Sequence, residues 1–114
     1  DAAILDLDVL AAMYGDSSLD TVMAALTGFY PAAASYVTAI EHAGLHNKLA
    51  DLAAAAHSLR GICGLVGAKP LAELSEQLEH AARHGETEQL KQQLALLPRC
   101  WQLLEQQLVH VLQR

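Results

Sequence analysis

A histidine with an arginine one helical turn further on is the combination in this sequence best suited to chemistry. His57 and Arg60 lie at i and i+3 in the segment 46–66, whose apolar periodicity predicts a helix. On a helical wheel His57 falls almost opposite the apolar arc, so we expect its imidazole to point to solvent. A neutral imidazole can attack an electrophile through one ring nitrogen, and a nearby guanidinium favours an anionic group, phosphate above all. The pair predicts an exposed nucleophile.

The predicted face around His57 is small and almost uncharged, whereas an ordinary solvated face carries Lys, Glu and Gln. Two glycines inside a helix cost roughly 1 kcal/mol each relative to alanine, so helix stability does not explain them. Bare backbone around the imidazole would let a second protein approach it closely, and we therefore predict a partner-docking surface. Its predicted members are Ala50, Ala53, Ala54, Gly61, Gly64 and Ala68, and the predicted buried arc contains Leu45, Leu52, Ala55, Ala56, Leu59, Ile62, Cys63 and Val66.

The segment His57-Ser58-Leu59-Arg60-Gly61, followed by Gly67-Ala68, resembles the signature of histidine phosphotransfer (HPt) domains. That signature reads His, any residue, Leu, Lys, Gly and then, six residues on, Gly-Ala. The resemblance extends over nearly the whole chain, and the segment 71–82, with Leu74, Leu78, Glu79 and Ala82, resembles the family's helix that packs back against the histidine-bearing helix. Arg60 stands where the family usually has lysine, which keeps the charge but changes the geometry of phosphate contact.

The resemblance implies a phosphorelay intermediate of two-component signalling rather than an autonomous enzyme. His57 would accept a phosphoryl group from a receiver-domain aspartate and pass it to another receiver, with Arg60 beside the phosphate. No cofactor or metal is implied on this chain, because Mg²⁺ is expected on the partner receiver. A monomeric, cytoplasmic module is implied, and the domain-sized span without an initial methionine favours the C-terminal module of a bacterial hybrid sensor kinase, the tail of an inner-membrane protein.

Periodicity and turn signals predict an all-α chain with short connections. We expect an antiparallel four-helix bundle in up-down-up-down order, with a short additional helix over 6–14 lying across it. The main helices are predicted over 19–43, 46–66, 69–84 and 87–114. Pro31 and Pro98 should kink or break the first and last of these, Gly44 should end the first, and Thr87 should cap the last.

Composition and charge limit the other kinds of protein that this sequence could encode. The 114 residues fit one domain over 1–114, and a net charge of −6 without a basic cluster argues against nucleic-acid binding. No apolar run is expected to reach the ~18 residues that span a bilayer, so no membrane contact is expected. Cys63 and Cys100 are predicted to be buried free thiols in a reducing compartment.

Three other functions compete with this interpretation. A non-phosphorylated helical adaptor could bind a partner through the same smooth face, although it would need no nucleophile there. His80 and His84 at i, i+4 could share a metal, but no third ligand lies at a suitable spacing. The dimerising helix of a histidine kinase usually has an acidic residue directly after its histidine, where this chain has Ser58.

Overall fold

The computed structural model of the chain describes residues 19–113, which form four α-helices joined by short connections. The helices are α1 (Leu19–Leu45), α2 (Leu49–Val66), α3 (Lys69–Arg83) and α4 (Thr87–Leu112). No strand occurs in this range, so the predicted all-α class is confirmed for the described residues. The helix predicted over 6–14 lies outside them.

Each helix packs against two others around a common core. α1 and α3 both contact α2 and α4, whereas the diagonal pairs do not approach each other within residues 19–113. This is the neighbour pattern of a four-helix bundle. The up-down-up-down order, which the short connections favour, stays a prediction.

Aliphatic side chains and alanines fill the core, as the composition predicts. Alanine leaves room for helix backbones to approach one another, and leucine supplies most of the buried apolar surface. The largest fully buried side chains are Leu26, Ile40, Leu52, Leu59, Leu71, Leu78, Leu97, Leu104, Leu108, Val66 and Cys63. The predicted arc of α2 is confirmed in part, since Leu45 is 84% exposed and closes α1 rather than preceding α2 on the same helix.

The first three helices end in the same way. A residue with positive φ follows each of them: Asn47 at 54°, Gly67 at 68° and Gly85 at 65°. The next residue then donates its backbone N–H to the carbonyl five positions back, at 2.9 or 3.0 Å, which is the Schellman arrangement. The predicted stop at Gly67 is confirmed. The predicted stop at Gly44 is wrong because the chain turns at Asn47 instead.

Gly44 has a packing role inside α1. A Cβ atom at this position would lie 3.0 Å from Cδ1 of Leu94 on α4, closer than two carbons normally approach. The missing side chain therefore lets α1 and α4 pack closely at this point.

The two helix-internal prolines do not end their helices. Pro31 lies inside α1 and Pro98 inside α4, and both are exposed. A proline leaves the carbonyl four residues back without its usual donor, and on an exposed face water can take that place. Neither proline therefore breaks its helix, and a kink at either position stays a prediction. Thr87 also does not cap α4, because Glu86 is the N-cap residue and Thr87 is already helical.

Both cysteines are free thiols, as predicted. Cys63 is fully buried, and burial raises the pKa of its thiol to about 12, with the nearby Cys100 adding to the shift. Cys100 is only half-buried, and burial raises its pKa as well. The two cysteines lie on α2 and α4, a diagonal pair of helices.

One helix among the described residues, α2, is long and apolar enough by length and composition to cross a membrane, with a mean hydropathy of 1.3. The expectation that no such stretch exists is therefore wrong. Alanine and leucine account for this hydropathy, and the structure packs the helix between α1 and α3.

Candidate functional site

His57 stands in the middle of α2 with its side chain 58% exposed, which confirms the predicted orientation toward solvent. Its Nδ1 atom lies 3.0 Å from Oε2 and 3.2 Å from Oε1 of Glu79 on α3. A carboxylate only accepts hydrogen bonds, so Nδ1 carries the proton and donates it. In the neutral ring Nε2 then keeps its lone pair, and within the described part of the chain it makes no hydrogen bond.

Glu79 is the best-shielded charged group of the site, with its side chain 12% exposed. Desolvation alone would raise the pKa of this carboxyl. The hydrogen bond from Arg83, together with His57 and Arg60, more than offsets it, so the pKa lies below its ordinary value. Arg83 donates from Nε to Oε2 of Glu79 at 2.9 Å, from one turn further along α3. Glu79 is therefore a carboxylate at neutral pH.

Arg60 lies between the histidine and the acidic side chains of α3. Its Nη1 is 3.4 Å from Oε2 of Glu76, and its Nη2 is 3.9 Å from Oε1 of Glu79. The Arg60 side chain is 39% exposed and lies one helical turn from His57. Arg60 thus supplies a positive charge beside the nucleophile, as predicted from its spacing.

A second contact of Nδ1 competes with the first. Nη2 of Arg60 lies 3.5 Å from Nδ1 of His57, and a guanidinium can only donate. Nδ1 cannot donate to Glu79 and accept from Arg60 in the same tautomer. We assign the proton to Nδ1 because the Glu79 contact is shorter by half an ångström and joins a donor to a charged acceptor.

The surface on the other side of His57 is smooth. Ala54, Gly61 and Gly64 are exposed, as is Ala50, and a Cβ atom built on either glycine meets nothing within 4 Å. These residues leave the ring accessible over the faces of α2 that no other described helix covers. Their role in docking stays a prediction.

Two predicted members of the docking surface are buried, and their assignment to it was wrong. Ala53 is 3% exposed because it is displaced from His57 in the same direction as Arg60, the side of α2 that faces α3. Ala68 is fully buried because it lies beyond the end of α2, in the tight connection to α3. The helical wheel was continued past the point where the helix stops.

An apolar groove of about 230 Å³ adjoins the smooth surface where α2 meets α1. Leu65, one of the few large apolar side chains that are exposed, stands at this groove with 53% of its surface accessible. The groove is lined by Ala25, Gly28, Phe29, Ala32, Ile62, Leu65 and Val66.

Two of the other histidines, His80 and His84, contact each other at the end of α3. The rings of His80 and His84 stack at 4.1 Å between centroids, and Glu86 is 3.6 Å from the first of them. No group of three or more potential ligands converges anywhere in residues 19–113.

The site predicted from the sequence did not include Glu79, whose carboxylate contacts His57. Glu79 contacts His57 from 22 positions away, and Glu76 and Arg83 complete the charged cluster from the same helix. The spacing of these three residues at i, i+3 and i+7 places them on one face of α3, which is a usable signal. It becomes informative only when that face is known to meet α2.

An all-helical bundle that carries an exposed histidine beside an arginine is the arrangement that the phosphotransfer resemblance implied. A family model described as Hpt domain matches residues 24–112, so the chain belongs to the histidine phosphotransfer family, as the resemblance predicted. Such domains are phosphotransfer modules of two-component signalling rather than catalytic enzymes, and they interact with receiver domains of response regulators. Neither curated proteins nor solved structures gave a significant match.

Proposed function

We propose that this protein is a phosphorelay intermediate in which Nε2 of His57 accepts a phosphoryl group from the aspartyl phosphate of one receiver domain and delivers it to the aspartate of another. The observation that carries the proposal is the contact between Nδ1 of His57 and Glu79 at 3.0 Å. It leaves the opposite nitrogen unprotonated and directed to solvent.

The transfer step needs no acid or base on this chain. The lone pair of Nε2 attacks the phosphorus atom, the bond from phosphorus to the receiver's carboxylate oxygen breaks, and that aspartate leaves as a free carboxylate. The ring then bears a positive charge, which the ionised Glu79 stabilises through the Nδ1 proton. In the reverse sense, a carboxylate oxygen of the second receiver attacks phosphorus and the N–P bond breaks, so His57 returns to its neutral tautomer.

Arg60 supplies charge to the transferring group. Its two carboxylate contacts, at 3.4 Å to Glu76 and 3.9 Å to Glu79, are long, and the side chain of Glu76 is 64% exposed, so exchange of the Glu76 contact for a phosphoryl oxygen costs little. A divalent cation that stabilises the phosphoryl oxygens is expected on the receiver, and we assign none to this chain.

The receiver would dock on the smooth surface of α2. Ala54, Gly61 and Gly64 let its active site approach His57, and Leu65 with the adjoining groove offers apolar contact about two helical turns further along α2. A monomeric state, a cytoplasmic location and attachment to a sensor kinase accompany this proposal as predictions of family membership.

The test is phosphoryl transfer from a receiver domain charged with acetyl phosphate in the presence of Mg²⁺. We expect label on the wild type that is lost in acid and kept in base, and no label on His57→Gln. His80→Gln is the matched control and should take up label normally. Absence of label with several receivers, together with partner binding that survives His57→Gln, would instead support the non-phosphorylated adaptor.

A further inference from the structure

We propose that Arg83 is a positioning residue that holds Glu79 on Nδ1 of His57 and so keeps the histidine in the tautomer whose Nε2 can attack phosphorus. This inference rests on the proposed function and adds to it the residue that selects the reactive tautomer. Arg83 contacts Glu79 from one turn further along α3, and no hydrogen bond or ion pair within the described residues joins Arg83 to His57.

The contacts of Glu79 show why a holding residue is needed. Oε2 accepts from Arg83 at 2.9 Å and from His57 at 3.0 Å, so one oxygen is shared by the two donors. A glutamate side chain has three rotatable bonds, and the donor on its own helix restricts them to the conformation that reaches α2. Arg60, at 3.9 Å, is too distant for a hydrogen bond to do the same.

The competing contact of Arg60 shows what would follow if Glu79 moved away. Nη2 of Arg60 is already 3.5 Å from Nδ1 of His57 and can only donate. Once the carboxylate leaves, Arg60 can donate to Nδ1, and the ring proton must then be on Nε2. A protonated Nε2 has no lone pair with which to attack phosphorus. The two arginines therefore act on the tautomer in opposite senses, Arg83 through Glu79 and Arg60 directly.

The charge balance supports the same division of roles. Arg83 donates a hydrogen bond to Glu79 and is one cause of the low pKa of this carboxyl, so its charge stabilises the ionised form that accepts from Nδ1. With Arg83 on Glu79, Arg60 is left free to turn from Glu76 and Glu79 toward an incoming phosphoryl group. The site thus needs both arginines, one for the carboxylate and one for the phosphate.

The experiment measures the tautomer of His57 in the unphosphorylated full chain by long-range ¹H–¹⁵N NMR at about pH 8.5, above the ordinary pKa of histidine. We expect the wild type to be protonated on Nδ1, Arg83→Gln to gain the form protonated on Nε2, and Arg83→Lys to retain most of the Nδ1 form. Arg99→Gln removes the same charge from the exposed surface of α4 and should leave the wild-type spectrum.

Transfer rates provide the second measurement. Arg83→Gln should accept phosphoryl groups roughly two- to fivefold more slowly than wild type, as expected for a partly exposed ion pair, and Arg99→Gln at the wild-type rate. An unchanged tautomer in Arg83→Gln would overturn the inference even if the rate fell. Failure of wild type to accept a phosphoryl group would overturn the proposed function, while the tautomer measurement would still decide the role of Arg83.

Discussion

Two histidines of this bundle stand on exposed helix surfaces beside a glutamate, yet only one is arranged as a nucleophile. His57 contacts Glu79 at 3.0 Å, and that carboxylate is 12% exposed and belongs to a different helix. His80 is 3.6 Å from Glu86, which is 48% exposed and only six positions away in the chain. The first contact joins two helices and is fixed by their packing, whereas the second is a local surface contact.

The side chains around the two histidines also differ. Around His57 the neighbouring turns carry Ala54, Gly61 and Gly64, which leave the ring accessible. His80 contacts the ring of His84, with 4.1 Å between the centroids, although its side chain is 63% exposed, against 58% for His57. Under the proposed function, exposure and a nearby carboxylate are therefore insufficient, and His57 is set apart by a carboxylate held from a second helix and by the bare neighbouring turns.

The largest effect should come from filling the approach surface. Gly61→Glu adds a long acidic side chain beside His57, where it would repel a receiver's acidic active site, and we expect transfer to fall by about 100-fold. The fold should persist because the added Cβ meets no atom within 4 Å.

Its matched control is Ala95→Glu, which adds the same side chain at an exposed position of α4. Transfer kinetics with one purified receiver and circular dichroism of both variants complete the measurement. Equal rates for Gly61→Glu and wild type would contradict the role assigned to the smooth surface.

The next effect concerns the carboxylates. Glu79→Gln retains an acceptor for Nδ1 but loses the charge that stabilises the phosphorylated ring, so transfer should slow about tenfold. Glu86→Gln makes the same change at the other histidine and should have no effect. A transfer rate for Glu79→Gln within a factor of two of wild type would mean that the Glu79 carboxylate does not distinguish His57 from His80.

A smaller effect is the pH dependence of stability. The pKa of Glu79 is lower in the folded protein than in the unfolded chain, so its contribution is present above the unfolded value, near 4.3, and is lost as pH falls through the folded value. The groups facing it are His57 and Arg60 from α2 and Arg83 from α3.

Urea unfolding of wild type and Glu79→Gln should therefore differ by about 1 kcal/mol near neutral pH and converge at acidic pH. The corresponding difference for Glu86→Gln should be smaller at every pH. A difference for Glu79→Gln that stays constant from neutral pH to about pH 3 would refute the assignment of a stabilising carboxylate.

The smallest effect separates the glycines near the two histidines. Gly61 is helical and open, so Gly61→Ala should raise the free energy of unfolding by about 1 kcal/mol. Gly85 follows the helix that carries His80 and has a φ of 65°. Gly85→Ala should therefore lower the free energy of unfolding by about 1 kcal/mol. Thermal unfolding of the two variants measures both, and a destabilised Gly61→Ala would argue against selection of this glycine for access.

Much of the fold could be predicted because it depends on local patterns. Apolar periodicity located all four described helices to within a few residues, and Gly67 marked a true helix end. The structure differs from the sequence-based prediction at positions where tertiary packing and exposure, rather than the local sequence, determine where a helix ends. Pro31 and Pro98 are tolerated because they are exposed, and Gly44 serves the contact with Leu94 rather than a helix stop.

The site could be predicted only as far as a single helix defines it. His57, Arg60 and the open glycines follow from one helical wheel, and so does the solvent-facing ring. Glu79 could not be found in this way, because its contact depends on how α3 is rotated against α2. The packing of α3 against α2 also buries the side of α2 that includes Ala53. The omission of Glu79 and the wrong assignment of Ala53 therefore have one physical origin.

The central claim is that the proton on Nδ1 of His57 leaves Nε2 as the acceptor, and the position of the phosphoryl group tests it most directly. The uniformly ¹⁵N-labelled protein, phosphorylated by a charged receiver, would be examined by long-range ¹H–¹⁵N and ³¹P NMR. The account predicts a single phosphohistidine at His57 with phosphorus bonded to Nε2 and the proton retained on Nδ1. Phosphorus on Nδ1, or on any residue other than His57, would contradict it.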